Sequence, residues 1–259
     1  MGRLDGESVT SRVLAVLGAF GAEHPMLSLT QLSRRTGLPM ATTHRLVGEL
    51  AAWGALERDR RGRYRIGLRL WEIGSLAPRG LGLREIALPY LEDLYEATHE
   101  NVQLAVLDGG DVVFLERIAG RTSVGVHTRV GGRWPASSTG VGLVLLAYAS
   151  ADIQERFLAG PLPAFTERTI TDPARLRREL AEVRRCGYAV SNGQVTLDAL
   201  SVAAPVHGPA DQVVAALSIV VRTGTVPPLT LAPAVRTAAR GITRAVRLQP
   251  EIFHSVEGR

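Results

Sequence analysis

The chain has no lysine and a single cysteine, Cys186, in 259 residues. Arginine stands in for lysine on every predicted surface helix. That is a coding bias and not dedicated guanidinium chemistry, so the basic balance alone is not a sign of nucleic-acid binding. One cysteine excludes an intramolecular disulfide and supplies no thiolate cluster for a metal, and Cys186 reads as a packed residue beside a helix end. Long apolar runs are also missing. The most apolar segment, Val141 to Ala151, contains Gly142 and Ser150 and is too short to span a membrane. The polar opening MGRLDGESVTS lacks the hydrophobic stretch of a secretory signal, which gives a cytoplasmic expectation. The common catalytic signatures are absent as well. There is no G-x-S-x-G elbow, and the histidines at 24, 44, 99, 127, 207 and 254 show no metal-ligand spacing. Gly140-Val-Gly142 and Gly80-Leu-Gly82 lack the third glycine or the lysine of a phosphate loop. These absences predict a protein that is not an enzyme and needs no metal or cofactor.

What the chain does have is a concentrated basic helical segment near its start. Residues 1–66 carry 10 Arg against 6 acidic residues, whereas residues 67–259 carry 20 Arg against 19. A first helix from Ser8 to about Phe20 places Val9, Val13, Leu17 and Phe20 at helical spacing. Ser28 is a plausible N-cap for a second helix with Leu29 and Leu32 on its apolar face, Thr30 and Arg34 elsewhere, and Gly37 at its end. Leu38 and Pro39 then lead into a third helix to about Trp53, with Leu46, Val47, Leu50 and Trp53 as its buried face. Met40, Ala41, Thr42, Thr43, His44 and Arg45 are left near its start. Small and hydroxylated residues with one Arg suit a helix that approaches base edges in the DNA major groove. A hairpin candidate follows, in which Leu56 and the Tyr64/Ile66 pair flank the turn Asp59-Arg60-Arg61-Gly62. Arg58, Arg60, Arg61, Arg63 and Arg65 crowd this one element, as a wing that contacts phosphates would require. The helices alone also fit a plain pair of packed helices with a polar face, but the wing favours the DNA reading.

Beyond residue 66 the pattern becomes mixed. LRLWEIGSLA predicts a helix of about two turns that Pro78-Arg79-Gly80-Leu81-Gly82 breaks, so the interdomain connector is expected near 72–82. A helix over LREIALPYLEDLYEATHEN, interrupted or kinked near Pro89, precedes a hairpin in which Asn101–Leu107 alternates, Asp108–Asp111 turns and Val112–Ile118 returns. A third strand is expected around Ser123 to Val130. A buried helix from Gly140 to Ala149, a helix behind Thr171-Asp172-Pro173, three more strands (near Tyr188, 200–206 and 212–221) and a last helix over 229–248 complete the reading.

With these residues laid out, the chain resembles the IclR family of bacterial transcriptional regulators. LTQLSRRTGLPMATTHRLVGEL resembles the family's helix-turn-helix, YRIGLRLWEIG its passage from wing to linker, and LDALSVAAPV with VVAALSIV its effector-domain strands. The resemblance implies an α+β protein: an N-terminal winged helix-turn-helix (1–66), a linker helix and connector (67–82), and a GAF-like α/β effector-binding domain (83–259). It also implies a homodimer or dimer of dimers that binds a pseudo-palindromic operator on double-stranded DNA, acts as a repressor and takes a small organic acid. Ser28, Thr30, Arg34, residues 39–45, Arg61 and Arg63 are then the DNA-contacting set. Family pocket positions carried over one at a time give Ser123, Val126, Trp134, Gly140, Val141, Ser191, Ala199, Ser201, Ser218 and Val220 as effector contacts. Members that take small oxo-acids often have an acidic residue near Ser191, Cys at Ser201, Ser at Val220 and Lys at Leu143. Their absence points to a less polar or wider cavity with Trp134 as an aromatic wall, and to an aromatic or otherwise partly apolar acid. Two alternatives stay open: a DNA-binding protein with a degenerate pocket, and an enzyme built on the C-terminal domain.

Overall fold

Ser8 opens the first helix, α1 (Val9–Gly18), by accepting the Ser11 N–H on its side chain. The computed structural model describes residues 8–77, 80–121 and 123–250, and the chain divides into two units, Met1–Ala77 and Pro78–Arg259. Pro78 and Arg79 of the expected helix breaker lie outside the described residues.

In the first unit, β1 (Leu27–Ser28) runs directly into α2 (Leu29–Thr36). Ser28 and Gln31 form a reciprocal capping box, each satisfying the other's backbone N–H. Gly37 ends the helix at φ 71°, a left-handed conformation that favours glycine. The next helix is α3 (Met40–Trp53), and the hairpin of β2 (Leu56–Arg58) and β3 (Arg63–Ile66) forms a three-stranded sheet with β1 in the order β1-β3-β2. Val16, Leu27, Leu32, Leu46, Val47, Leu56 and Tyr64 make the core. Two expectations need correction here. On α1 the buried positions are Val16 and, just past the helix end, Ala19, while Val9 is exposed and Val13, Leu17 and Phe20 are only partly covered. Trp53 is also exposed, with the Arg69 guanidinium of α4 (Leu68–Gly74) 4.8 Å from its ring centre.

The second unit begins with α5 (Leu81–Thr98), which runs through Pro89 as one helix without the expected interruption. Its six-stranded antiparallel sheet is ordered β6-β5-β4-β9-β8-β7. The strands are β4 (Asn101–Asp108), β5 (Asp111–Ile118), β6 (Arg133–Pro135), β7 (Ala189–Asn192), β8 (Ala199–His207) and β9 (Val213–Arg222). One face, with Val102, Leu104, Val202, Leu217 and Ile219, packs against α5 and α9 (Pro228–Arg247). The other face carries Ala105, Ala203, Ala216 and Phe114 and packs against α6 (Gly140–Ala147) and α8 (Pro173–Cys186), while α7 (Ala151–Ala159) lies beside them. Small residues on that face let α6 come close, and all eight of its residues are buried. An all-round apolar helix needs such a position. Of Thr171 and Asp172 ahead of α8, Asp172 is the cap, accepting the N–H groups of Ala174 and Arg175.

The expected strand over 123–130 is absent. β6 takes the free edge of β5, pairing Trp134 with Val112, while side chains from β4 and β5 take up carbonyl oxygens of segment 123–130 in place of a backbone ladder.

Glycine fixes how α6 meets its surroundings. A Cβ on Gly142 would overlap the Ala136 backbone of the short 3₁₀ turn Ala136–Ser138, and one on Gly140 would press into Ser201 of β8. Gly142→Ala is expected to destabilise the second unit by about 1 kcal/mol or more, because backbone overlap outweighs the helix propensity gained. Gly160→Ala, where a Cβ meets only ordinary contacts, is expected to stay within about 0.5 kcal/mol in the same urea titration.

Candidate functional site

Two surfaces carry chemistry. The first is the start of α3 with the wing. Pro39 precedes the helix with φ −55°, and Met40, Ala41, His44 and Arg45 are exposed in its first turns, with Thr42 partly covered. Thr30, Arg34 and Pro39 are exposed too, and Ser28 is half-buried with its hydroxyl oxygen taken by the α2 cap. Arg45 pairs with Glu49 one turn on, at 2.7 Å.

Thr43 does not belong to this surface. It is fully buried, and its hydroxyl donates to the carbonyls of Pro39 (3.1 Å) and Leu38 (3.4 Å). Spacing made it look available. The turn through Leu38 and Pro39 folds back on the helix and takes its hydroxyl, so Thr43 holds the entry to α3 and presents nothing at the surface.

The wing is less uniformly basic than its sequence suggests. Asp59 accepts the backbone N–H groups of Arg61 (2.9 Å) and Arg63 (2.8 Å) and also Arg63 Nε (3.0 Å). Arg65 pairs with Glu57 at 2.7 Å, and Arg58 lies against the Tyr64 ring. Among the described residues no ion pair engages Arg60 or Arg61, both exposed. Arg63, expected to hold phosphate, is tied first to its own turn. Its backbone N–H and then its guanidinium hold the Asp59 carboxyl below the ordinary range, and Arg65 does the same for Glu57.

The second site is a small cavity of about 50 Å³ in the second unit. Its wall includes Val126, Gly140, Val141, Ser191, Ala199, Ser201 and Val220, all expected from the sequence. Gln103, Phe114, His127, Thr128, Ser138, Thr139 and Gln194–Thr196 join them unforeseen. Strand register explains the grouping. Asn101 faces Val220, which faces Ser201, which faces Ser191; in the next row Arg117 faces Gln103, which faces Ser218, which faces Ala203. Paired residues share a face, so two polar rows cross a sheet face that is otherwise apolar. The end wall is the first turn of α6. Thr139 caps it by accepting the Gly142 N–H at 3.0 Å, and the N–H groups of Gly140 and Val141 have no acceptor among the described residues. A helix N-terminus with free N–H groups suits a carboxylate.

Three expected contacts do not line this cavity. Trp134 sits on edge strand β6, half-buried between His127 and Phe165 with ring centres 6.4 Å and 5.1 Å away, so the aromatic walls are Phe114 and His127 instead. Ser123 closes a turn by accepting the Gly120 N–H and donating to His99 O. Ser218 lies one row deeper than Val220, buried, and its hydroxyl has no partner among the described residues. The signal that could have found Gln103 was there to read: Asn101 and Gln103 put amides at i, i+2 of a strand that is otherwise apolar and buried. A larger groove of about 1180 Å³ lies at the other end of α6, beside Tyr148, Ile153 and Phe157. Asp111, Arg156 and Gln212 also line it; the smaller cavity is the better candidate because the glycine-led start of α6 and the two polar sheet rows meet there. Among the described residues no cluster of His, Cys, Asp or Glu could hold a metal.

Residues 9–60 match the family model of the IclR helix-turn-helix domain, and residues 77–244 match that of the bacterial transcriptional regulator IclR C-terminal domain. The chain belongs to the IclR family. It is an α+β regulator with an N-terminal helix-turn-helix and a C-terminal α/β domain. Among IclR relatives it is 32% identical to the HTH-type transcriptional regulator KipR of Bacillus subtilis over 207 residues, 80% of this chain and 82% of that protein. It is 28% identical to the transcriptional repressor IclR of Escherichia coli over 213 residues, 81% of this chain and 78% of that protein. A solved IclR homolog from Microbacterium hydrocarbonoxydans, complexed with 4-hydroxybenzoate, is 38% identical with a TM-score of 0.87, covering 93% of this chain and 100% of that one.

Two expected outcomes follow from the DNA-facing unit. Thr43→Val, which removes one buried hydroxyl bond, should lower its stability by about 1 kcal/mol in urea and weaken operator and random DNA by equal factors; a selective loss on the operator would return Thr43 to the base-reading set. Asp59 has a pKa below its unfolded value, so its support of the wing is complete above the ordinary Asp range near 3.9 and is lost as pH falls through the lowered folded value. In an NMR titration the Arg61 and Arg63 amides should move together with the Asp59 carboxyl, at a pH below that ordinary value.

Proposed function

We propose that this IclR-family chain is a cytoplasmic repressor, not an enzyme, whose operator affinity changes when an aromatic organic acid binds in the second unit. The observation that carries the reading is the cavity at the first turn of α6, where the Gly140 and Val141 N–H groups have no acceptor among the described residues and polar sheet rows form the floor. The acid's carboxylate sits on those N–H groups, its ring lies against Phe114 and His127, and Ser191, Ser201 and Ala199 border it. The 4-hydroxybenzoate of the Microbacterium homolog and the repressor role of the E. coli relative support this assignment. No helix among the described residues is long and apolar enough to cross a membrane, in keeping with the cytoplasmic assignment.

On DNA, Met40, Ala41, Thr42, His44 and Arg45 approach base edges, while Thr30, Arg34, Arg60 and Arg61 contact phosphates, with Arg63 holding the wing turn and reaching phosphate second. The division into 1–66, a connector at 67–82 and 83–259 belongs to the same reading. Leu68, Trp71, Ile73 and Leu76 expose apolar surface in and just after α4. An exposed apolar patch of this kind suits a homodimer contact, with or without further pairing into a dimer of dimers.

Electrophoretic shift assays on DNA flanking the gene, repeated with aromatic and aliphatic acids, test the proposal. An aromatic acid should move the midpoint roughly tenfold or more, a coupling of about 1.4 kcal/mol; no shift with any acid would overturn the effector role. Arg61→Ala should weaken operator and random DNA alike and reduce the salt slope by about 1.

A further inference from the structure

The cavity of about 50 Å³ is on the scale of a few waters, each of which needs about 10–15 Å³. Ligand sites of drug size start near 300 Å³, so an acid enters only if a wall moves. α6 is buried all round and the strands of the sheet are joined by backbone pairing. Segment 123–130 is different. From Val124 to Thr128 it makes no backbone-to-backbone bond among the described residues and is held by side chains. Asn101 Nδ2 donates to Val124 O (2.9 Å), Arg117 Nη1 to Thr128 O (3.1 Å) and Gln103 Nε2 to Thr128 Oγ1 (2.7 Å). Arg117 also grips Asn101 Oδ1 through Nε and Nη2.

Gln103 alone among these three both holds the segment and lines the cavity. It is almost fully buried, and directly opposite it on β9 sits Ser218, 1% exposed, with a hydroxyl that has no partner among the described residues. The start of α6 stands over Ser201 and Ala203 on β8, whereas Gln103 is on β4, two strands along the sheet, so a polar group on that side of the cavity is met by a buried amide.

We propose that Gln103 is a specificity-determining residue. Its amide N–H passes from Thr128 Oγ1 to an oxygen of the effector distal to the carboxylate, and the hand-over leaves segment 123–130 held only by Asn101 and Arg117. The effector class is therefore a flat acid with a second polar oxygen at its far end. This rests on the effector reading of the cavity given above.

The test uses the full chain, Gln103→Met and Thr128→Val, with 4-hydroxybenzoate and benzoate as probes. Both variants cut the same bond, so both should raise hydrogen exchange over 123–130 several-fold with no probe added. Their effects on 4-hydroxybenzoate affinity should be opposite. Thr128→Val releases the Gln103 amide and should tighten binding by threefold or more, whereas Gln103→Met removes it and should weaken 4-hydroxybenzoate roughly tenfold without weakening benzoate. Unaltered exchange in both variants, or affinity shifts in the same direction, overturns the proposal. A wild-type protein that takes up neither probe overturns the aromatic-acid reading and the hand-over together. Raised exchange in that case would still support Gln103 as the hold on the segment, and unaltered exchange would remove that role too.

Discussion

Polar side chains buried in the middle of a sheet must find partners, and in the second unit this requirement organises the site. Asn101 and Gln103 enter an apolar strand and cannot reach water. An unsatisfied buried amide is costly. The segment over 123–130 satisfies them and is in turn held down by them. The cavity is what remains between that segment, the two polar rows and the glycine turn of α6. Its position therefore follows from hydrogen-bond satisfaction as much as from packing.

The first unit shows the same economy of polar groups at its surface. Thr43 and Ser28 are both hydroxyl residues near helix starts, and both use the hydroxyl to fix the backbone. The surface left for DNA is consequently narrower than a count of polar residues implies, and it is concentrated at the first turns of α3. In the wing, Glu57 and Asp59 neutralise arginines and fix the turn, so the positive field comes mainly from Arg60 and Arg61, with Arg34 added from α2. Acidic residues beside a phosphate-binding surface weaken its field but hold its shape, and a rigid wing loses less conformational freedom on docking.

Periodicity made most of the fold legible. The hairpin at Asp108–Asp111, a cap at Thr171 or Asp172, the buried α6 and the N-cap at Ser28 follow from local chemistry, which a sequence carries residue by residue. Segment 123–130 was misread because its Val and Thr content suits a strand. Whether it pairs depends on which segment takes the edge of β5, and that is a tertiary outcome decided by β6. Trp134 was misplaced for the same reason: its neighbours on the edge strand determine where the ring lies. Gly140 and Val141 came from the family resemblance, which puts the glycine-led start of this buried helix at the ligand cavity, and both line the cavity. Gln103 and His127 were missed because they reach the cavity from strand register and from an irregular segment.

The small volume of the cavity and the likeness to a protein that carries 4-hydroxybenzoate are compatible on one condition. The wall must have two arrangements, and the ligand must favour one of them, since equal affinity for both shifts no equilibrium. Segment 123–130 meets the first requirement, being held by side chains that can exchange partners without breaking a backbone ladder. The polar end of the cavity meets the second, because Gln103 holds the segment through the amide that faces the cavity. Selectivity and closure then share one hydrogen bond. A ligand that fills the space without replacing that bond gains contact area but leaves the segment where it was.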